Sequence, residues 1–224
     1  MQPSPGPATD LLGEVRTQLS ETERAIRDHR FLEAIERGEV SRETLGSLAG
    51  EQLTVISSDR RSFAALAARF PGGPAGELFL SMAEGEGVAL QSLGAFADWL
   101  GLGPEDLAEY EPKPAGQAYT AFVSWLALNG SRADVALAFA ANLAAWGANC
   151  GRVAAALSLH YGAGEDAVAF FDFFAEPPPD LEQRLLEAVD QGLAAGESAL
   201  RARRATRLLQ AYELMFWDSL DQRG

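Results

Sequence analysis

The sequence predicts an all-α protein, a bundle of seven to eight helices. Apolar residues recur at intervals of three and four along most of the 224 residues, the spacing of helices that each bury one stripe. No run of alternating β-branched residues marks a strand. Proline and glycine clusters cut the chain into helix-length pieces, and residues able to cap a helix stand where those pieces begin.

The first ten residues, "MQPSPGPATD", carry three prolines and neither a basic nor an apolar region. They do not read as a signal peptide. Residues 1–9 are expected to be a disordered lead-in, and residues 10–224 one domain. A first helix is expected over 10–27, then a short amphipathic piece, "HRFLEAIERGEV". Ser41 can cap a long helix reaching residue 69, which "PGGP" breaks. The next helix, over 75–100, stops at "GLGP", where Pro104 suits the first turn of a short helix. "EPKPAG" links to a helix over 117–128. Ser131 and Asp134 form a capping-box pattern that opens a long Ala-rich helix to His160. A short aromatic helix runs through Phe174. Asp180 and Gln183 make a second such pattern before a helix to residue 195, and a final helix spans 197–220.

Composition excludes several classes of function. The net charge is −14 and the isoelectric point about 4.5, the wrong sign for meeting nucleic-acid phosphates or an anionic membrane surface. No uncharged apolar run approaches the roughly 18 residues of a membrane span. The one basic run, "RARRATR", lies on a helix among acids, where surface ion pairs are expected. A single cysteine, Cys150, excludes an intramolecular disulfide and any multi-cysteine zinc site, and fits a reducing cytoplasm. Its neighbours include no histidine, so it reads as a packed thiol rather than an activated nucleophile. With two histidines and no Glu-x-x-His pair, a di-iron bundle and a metal-dependent oxidase are disfavoured. No metal and no cofactor are expected.

The candidate site residues are polar or aromatic side chains set inside apolar helices. In "LLQAYELMFWDSL", Glu213 follows Leu209 by four and precedes Phe216 by three, so it falls within the apolar stripe. A carboxylate there is either paired across the bundle or faces a cavity that holds something needing it. Asn142 and Trp146 share a face of "AFAANLAAWGANC", as a buried satisfied amide or as ligand contacts. Gln52 lies on or beside an apolar face, and Tyr119 reads as a core tyrosine or a pocket one. The cluster "AFFDFFAE", which contains Phe174, can wall a pocket or simply fill the core.

Four segments in order carry a resemblance to a family. "HRFLEAIERGEVSRETL", "FADWLGL", "EPKPAGQAYTAFVSWLALNG" and "AYELMFW" resemble segments of the TenA/thiaminase-II (TENA/THI-4/PqqC) family, which has a heme-oxygenase-like fold. The resemblance implies hydrolysis at the thiamin pyrimidine, releasing thiazole or deaminating an aminopyrimidine, and a homo-oligomer, dimer or tetramer. It makes Glu213 the proton-handling glutamate, a general acid or base. It makes Gln52, Tyr119, Asn142, Trp146 and Phe174 ligand-binding positions. Three positions depart from the pattern. Asn142 stands where the family has its cysteine, Gln52 where it has an aspartate, and Val55 where it has a tyrosine. Asparagine is no nucleophile and glutamine carries no charge to anchor a protonated aminopyrimidine. The expectation is therefore a protein that acts on or binds a thiamin-pyrimidine-like or other small heteroaromatic ligand without the usual cysteine. The alternative is a non-catalytic binding or interaction protein.

Overall fold

The computed structural model describes residues 6–221; residues 1–5 of the expected lead-in and residues 222–224 lie outside the described residues. The described residues form helices and no strand. Eleven helical segments follow one another: α1 (Pro7–Gln18), α2 (Ser20–Arg27), α3 (Arg30–Glu36), α4 (Arg42–Arg69), α5 (Gly73–Leu100), α6 (Pro104–Ala108), α7 (Pro114–Asn129), α8 (Arg132–Tyr161), α9 (Glu165–Ala175), α10 (Leu181–Ala194) and α11 (Ala199–Leu220). Seven to eight was an undercount. The short amphipathic piece contains a helix of its own, α3, the short helix expected at Pro104 is α6, and the first expected helix breaks at Leu19. That helix also begins earlier than expected, at Pro7, a residue suited to a first turn.

The caps explain most boundaries. Ser41 Oγ accepts the Thr44 amide at 3.1 Å and opens α4. At the start of α8, Ser131 Oγ accepts the Asp134 amide at 3.2 Å while Asp134 Oδ2 accepts the Ser131 amide at 3.0 Å. Both are as the sequence predicts. Asp180 is different: its backbone is already helical and its side chain makes no cap bond. It sits in a turn in which the Leu181 amide donates to the Pro178 carbonyl at 3.0 Å. His29 caps α3, its Nδ1 accepting the Phe31 amide at 3.2 Å, and its Nε2 lies 3.1 Å from Asp218.

Helices α4 and α5 fold back on each other across a short turn, α7 packs on α4 and α11, and α8 lies against α9, α10 and α11. The buried apolar residues form two clusters. One holds Phe63 and Leu66 of α4, Leu78 and Phe79 of α5, Ala133 and residues 135–141 of α8, and Leu209 of α11. The other holds Leu45 to Ile56 of α4, Leu93 and Phe96 of α5, Val153 and Leu157 of α8, and Phe216 and Trp217 of α11. Along α4, α5, α8 and α11 alike the apolar stripe is interrupted where one cluster gives way to the other. Asp59, Glu86, Asn142 and Glu213 stand at those interruptions. No helix among the described residues is long and apolar enough to cross a membrane.

Candidate functional site

A cavity of about 50 Å³ lies at this polar layer, walled by α4, α5, α7, α8, α9 and α11. It has room for about four waters, roughly a third of the ~150 Å³ apolar cavity that admits a benzene ring. A ligand the size of a single ring enters only if a wall side chain moves. All six residues singled out in the sequence line it: Gln52, Tyr119, Asn142, Trp146, Phe174 and Glu213. Helix geometry brings them together. Asn142 and Trp146 are one turn apart on α8, while Gln52, Val55, Ile56 and Asp59 follow one face of α4.

Glu213 is 2% exposed, and both readings of it hold at once. It faces the cavity, and it is paired: Asn142 Nδ2 donates to its Oε2, and Trp217 Nε1 donates to its Oε1 at 3.3 Å. Burial pushes its carboxyl up to about 7 against these two donors, which pull the other way. Near neutral pH the group is therefore close to half ionised, the condition a general acid or base needs. Asn142 spends one amide N–H on this bond, and a carboxamide is no nucleophile.

Two further acids share the cavity, and sequence reasoning passed over both. Asp59 on α4 is 3% exposed, and its carboxyl is held well above its ordinary range by burial first and Glu86 second. Glu86 on α5 is partly buried, and burial raises its carboxyl to about 8. Tyr119 stands among all three acids, its phenol held protonated by burial and by Asp59, Glu213 and Glu86 in that order. The signal for both acids was present. Asp59 follows Ile56 by three and precedes Phe63 by four, and Glu86 stands between Ala83 and Ala89. That is the same misplaced-acid pattern that marks Glu213.

The aromatic wall is built from three elements. Trp146 sits 5.8 Å from Phe174 and 6.1 Å from Phe216, ring centre to ring centre, both near-perpendicular. Phe170 and Phe171 of the same cluster are buried core. Cys150 does not line the cavity. It is 1% exposed, and burial, with Glu213 second, keeps its thiol protonated. Among the described residues, no three His, Cys, Asp or Glu side chains are placed to hold a metal ion.

The model of the TENA/THI-4/PQQC family matches residues 16–222. The chain belongs to that family. Solved structures agree on the fold. A TenA homologue from P. horikoshii is 17% identical with a TM-score of 0.77, covering 94% of this chain and 97% of that one. A putative TenA-like thiaminase from Sulfolobus solfataricus is 14% identical with a TM-score of 0.66, covering 97% and 96%. Heme oxygenase-1 from Synechocystis, solved with heme, is 17% identical with a TM-score of 0.67, covering 94% and 92%. The fold of this family member is thus heme-oxygenase-like, as the resemblance implied. No curated protein matches the sequence significantly.

Proposed function

We propose that this TENA/THI-4/PQQC family protein takes a small nitrogen heterocycle, thiamin-pyrimidine-like in size, into the cavity, and that Glu213 handles protons there without a cysteine nucleophile. One observation carries the reading. A buried carboxyl, held near neutrality by burial, is aimed into a cavity and fixed by Asn142 and Trp217. In a hydrolytic step, ionised Glu213 would take a proton from a water attacking the ring carbon that bears an amino group. It would then return that proton to the departing nitrogen, which leaves as ammonia. Tyr119 would hold the ring against the aromatic wall of Trp146 and Phe174. The solved structure described as a putative TenA-like thiaminase supports this direction for the fold.

Asn142 in the cavity wall, where a nucleophile would be needed for covalent chemistry, favours a second reading, a binding protein that holds its ligand without chemistry. Turnover of aminopyrimidines by the purified full chain separates the two. Under the catalytic reading Glu213→Gln abolishes turnover. Under the binding reading no aminopyrimidine is consumed and the same substitution weakens binding. Retention of both turnover and affinity in Glu213→Gln removes Glu213 from the site. The protein is also proposed to act as a homo-oligomer, a dimer or tetramer.

A further inference from the structure

The chemistry assigned to Glu213 leaves the other two acids of the cavity unused. Asp59 lies almost wholly out of solvent, and its Oδ1 has no hydrogen-bond partner. Glu86 Oε2 and the Oε1 of Gln52, itself 1% exposed, are likewise without partners. All three side chains line the cavity. It therefore holds three buried polar oxygens without partners and no cation, since no Lys, Arg or His lines it. The cations that bear on it from neighbouring elements stand further off. Arg27 of α2 acts on Glu213 together with Glu23, and exposed Arg60 packs beside Gly87. A buried acceptor without a donor is costly, and more so when it is a carboxyl oxygen. The remaining wall is aromatic, with Tyr119, Trp146, Phe174 and Phe216, and aromatic faces attract cations.

We propose that Asp59 and Glu86 form the recognition end of the cavity and select a compact organic cation, an amidinium or ammonium group bringing several N–H donors. This rests on the cavity being a ligand site and specifies the charge of what enters it. The cation supplies the donors that Asp59 Oδ1, Glu86 Oε2 and Gln52 Oε1 lack, and the aromatic wall covers its apolar part. At neutral pH the two acids hold protons, Asp59 because it is buried beside Glu86 and Glu86 because of burial, with Tyr119 and Glu213 in the same cavity. Binding of a cation expels protons from the pair to solvent, so the affinity rises with pH. A neutral ligand shows no such dependence.

The test compares acetamidinium chloride with acetamide, which has nearly the same shape and no charge, by titration of the full chain. Sodium chloride serves as the ionic-strength control. Acetamidinium stays charged from pH 6 to pH 9 and is small enough for the cavity as it stands. It is expected to bind about tenfold tighter than acetamide at neutral pH, the scale of one charge-assisted contact. The preference should grow toward pH 9. Asp59→Asn and Glu86→Gln, which replace each carboxyl by an amide of the same shape, should erase it while keeping the fold. Cys150→Ser, whose side chain does not line the cavity, should retain it. Equal binding of the two probes, or a preference that survives in the Asp59→Asn/Glu86→Gln double variant, overturns the cation assignment and leaves the cavity a ligand site. Binding of neither probe overturns this proposal and counts against the ligand-site reading as well.

Discussion

Glu213 is both a buried hydrogen-bond partner and a wall of the cavity. Removing it leaves the Asn142 amide and the Trp217 indole without their acceptor in the core. Glu213→Ala is expected to destabilise the protein by about 2 kcal/mol, as unpaired buried donors do. Glu213→Gln removes the charge but keeps only one acceptor oxygen, so one of the two donors is left facing an amide; at pH 8 its loss of stability should be smaller than that of Glu213→Ala, which strands both. Thermal unfolding of both variants at pH 8 checks this; a larger loss in Gln than in Ala would contradict it. The pH dependence follows from the same burial. Glu213 rises from 4.5 to about 7 and Glu86 from 4.5 to about 8. Between those limits the folded state holds more protons than the unfolded chain. The stabilisation is thus fully present below pH about 4.5 and is lost as pH climbs through 7 to 8. For Glu213 alone the loss is on the order of 3 kcal/mol. Glu213→Gln and Glu86→Gln should each flatten the fall in unfolding midpoint between pH 5.5 and 8.5. A native protein equally stable at both values would show that these acids titrate normally. Cys150, packed away from the cavity with its thiol protonated, predicts that Cys150→Ser folds and leaves any turnover unchanged.

At the scale of the element, the approach from α6 to α7 is tied to α4 by one buried acid. Glu51, 0% exposed, accepts the Tyr110 hydroxyl at 2.9 Å, the Lys113 amide at 2.6 Å and the Gln117 side-chain amide. This tie sets where α7 begins and so where Tyr119 enters the cavity. Glu51→Ala strands three donors and is expected to cost about 3 kcal/mol. Limited proteolysis between α6 and α7 should accelerate with it; an unchanged cleavage pattern would show the linker held by other contacts. The neighbouring Gly50 is required for a different reason. A Cβ there would lie 2.3 Å from the Tyr110 ring, so Gly50→Ala must displace that ring, at about 1–3 kcal/mol. On α8, a Cβ on Gly147 would meet the Phe174 backbone oxygen at 2.8 Å. The glycine is what lets α9 bring Phe174 up to Trp146.

Across the whole molecule, an exposed apolar strip on α7 bears on assembly. Trp125 is 51% exposed and Leu128 73%, and Trp125 stacks on Phe122 with ring centres 5.8 Å apart. Large apolar side chains grouped on a surface mark places where proteins associate. The proposed dimer or tetramer is expected to use this strip, and Trp125→Asp with Leu128→Asp should shift the mass by light scattering to that of a single chain. A native protein of single-chain mass at tens of micromolar would remove the oligomer. The net charge of −14 adds repulsion between copies, so association should strengthen as salt rises toward 0.5 M.

Helix identity, most helix ends and the family were readable along the chain because each depends on local facts: period, caps, breakers and short segments in order. Ser131 with Asp134 is such a fact, and it holds in the structure; Asp180 looked the same and failed, since a cap also needs an extended backbone at its own position. The six residues that line the cavity could be singled out because each interrupts an apolar stripe or carries the resemblance. Which of them meet was beyond the sequence. Whether Glu213 pairs with Asn142 or faces a cavity depends on how α8 lies against α11, and the answer is both. Asp59 and Glu86 carried the same local sign as Glu213, but an acid among apolar residues gains meaning only when its neighbours across the bundle are known. Their coupling arises from the packing of α4 on α5, which brings two carboxyls into one water-poor space from positions 27 residues apart in the sequence. A period can place a side chain on a face; only the tertiary fold decides what that face meets, and burial together with a facing charge sets the chemistry there.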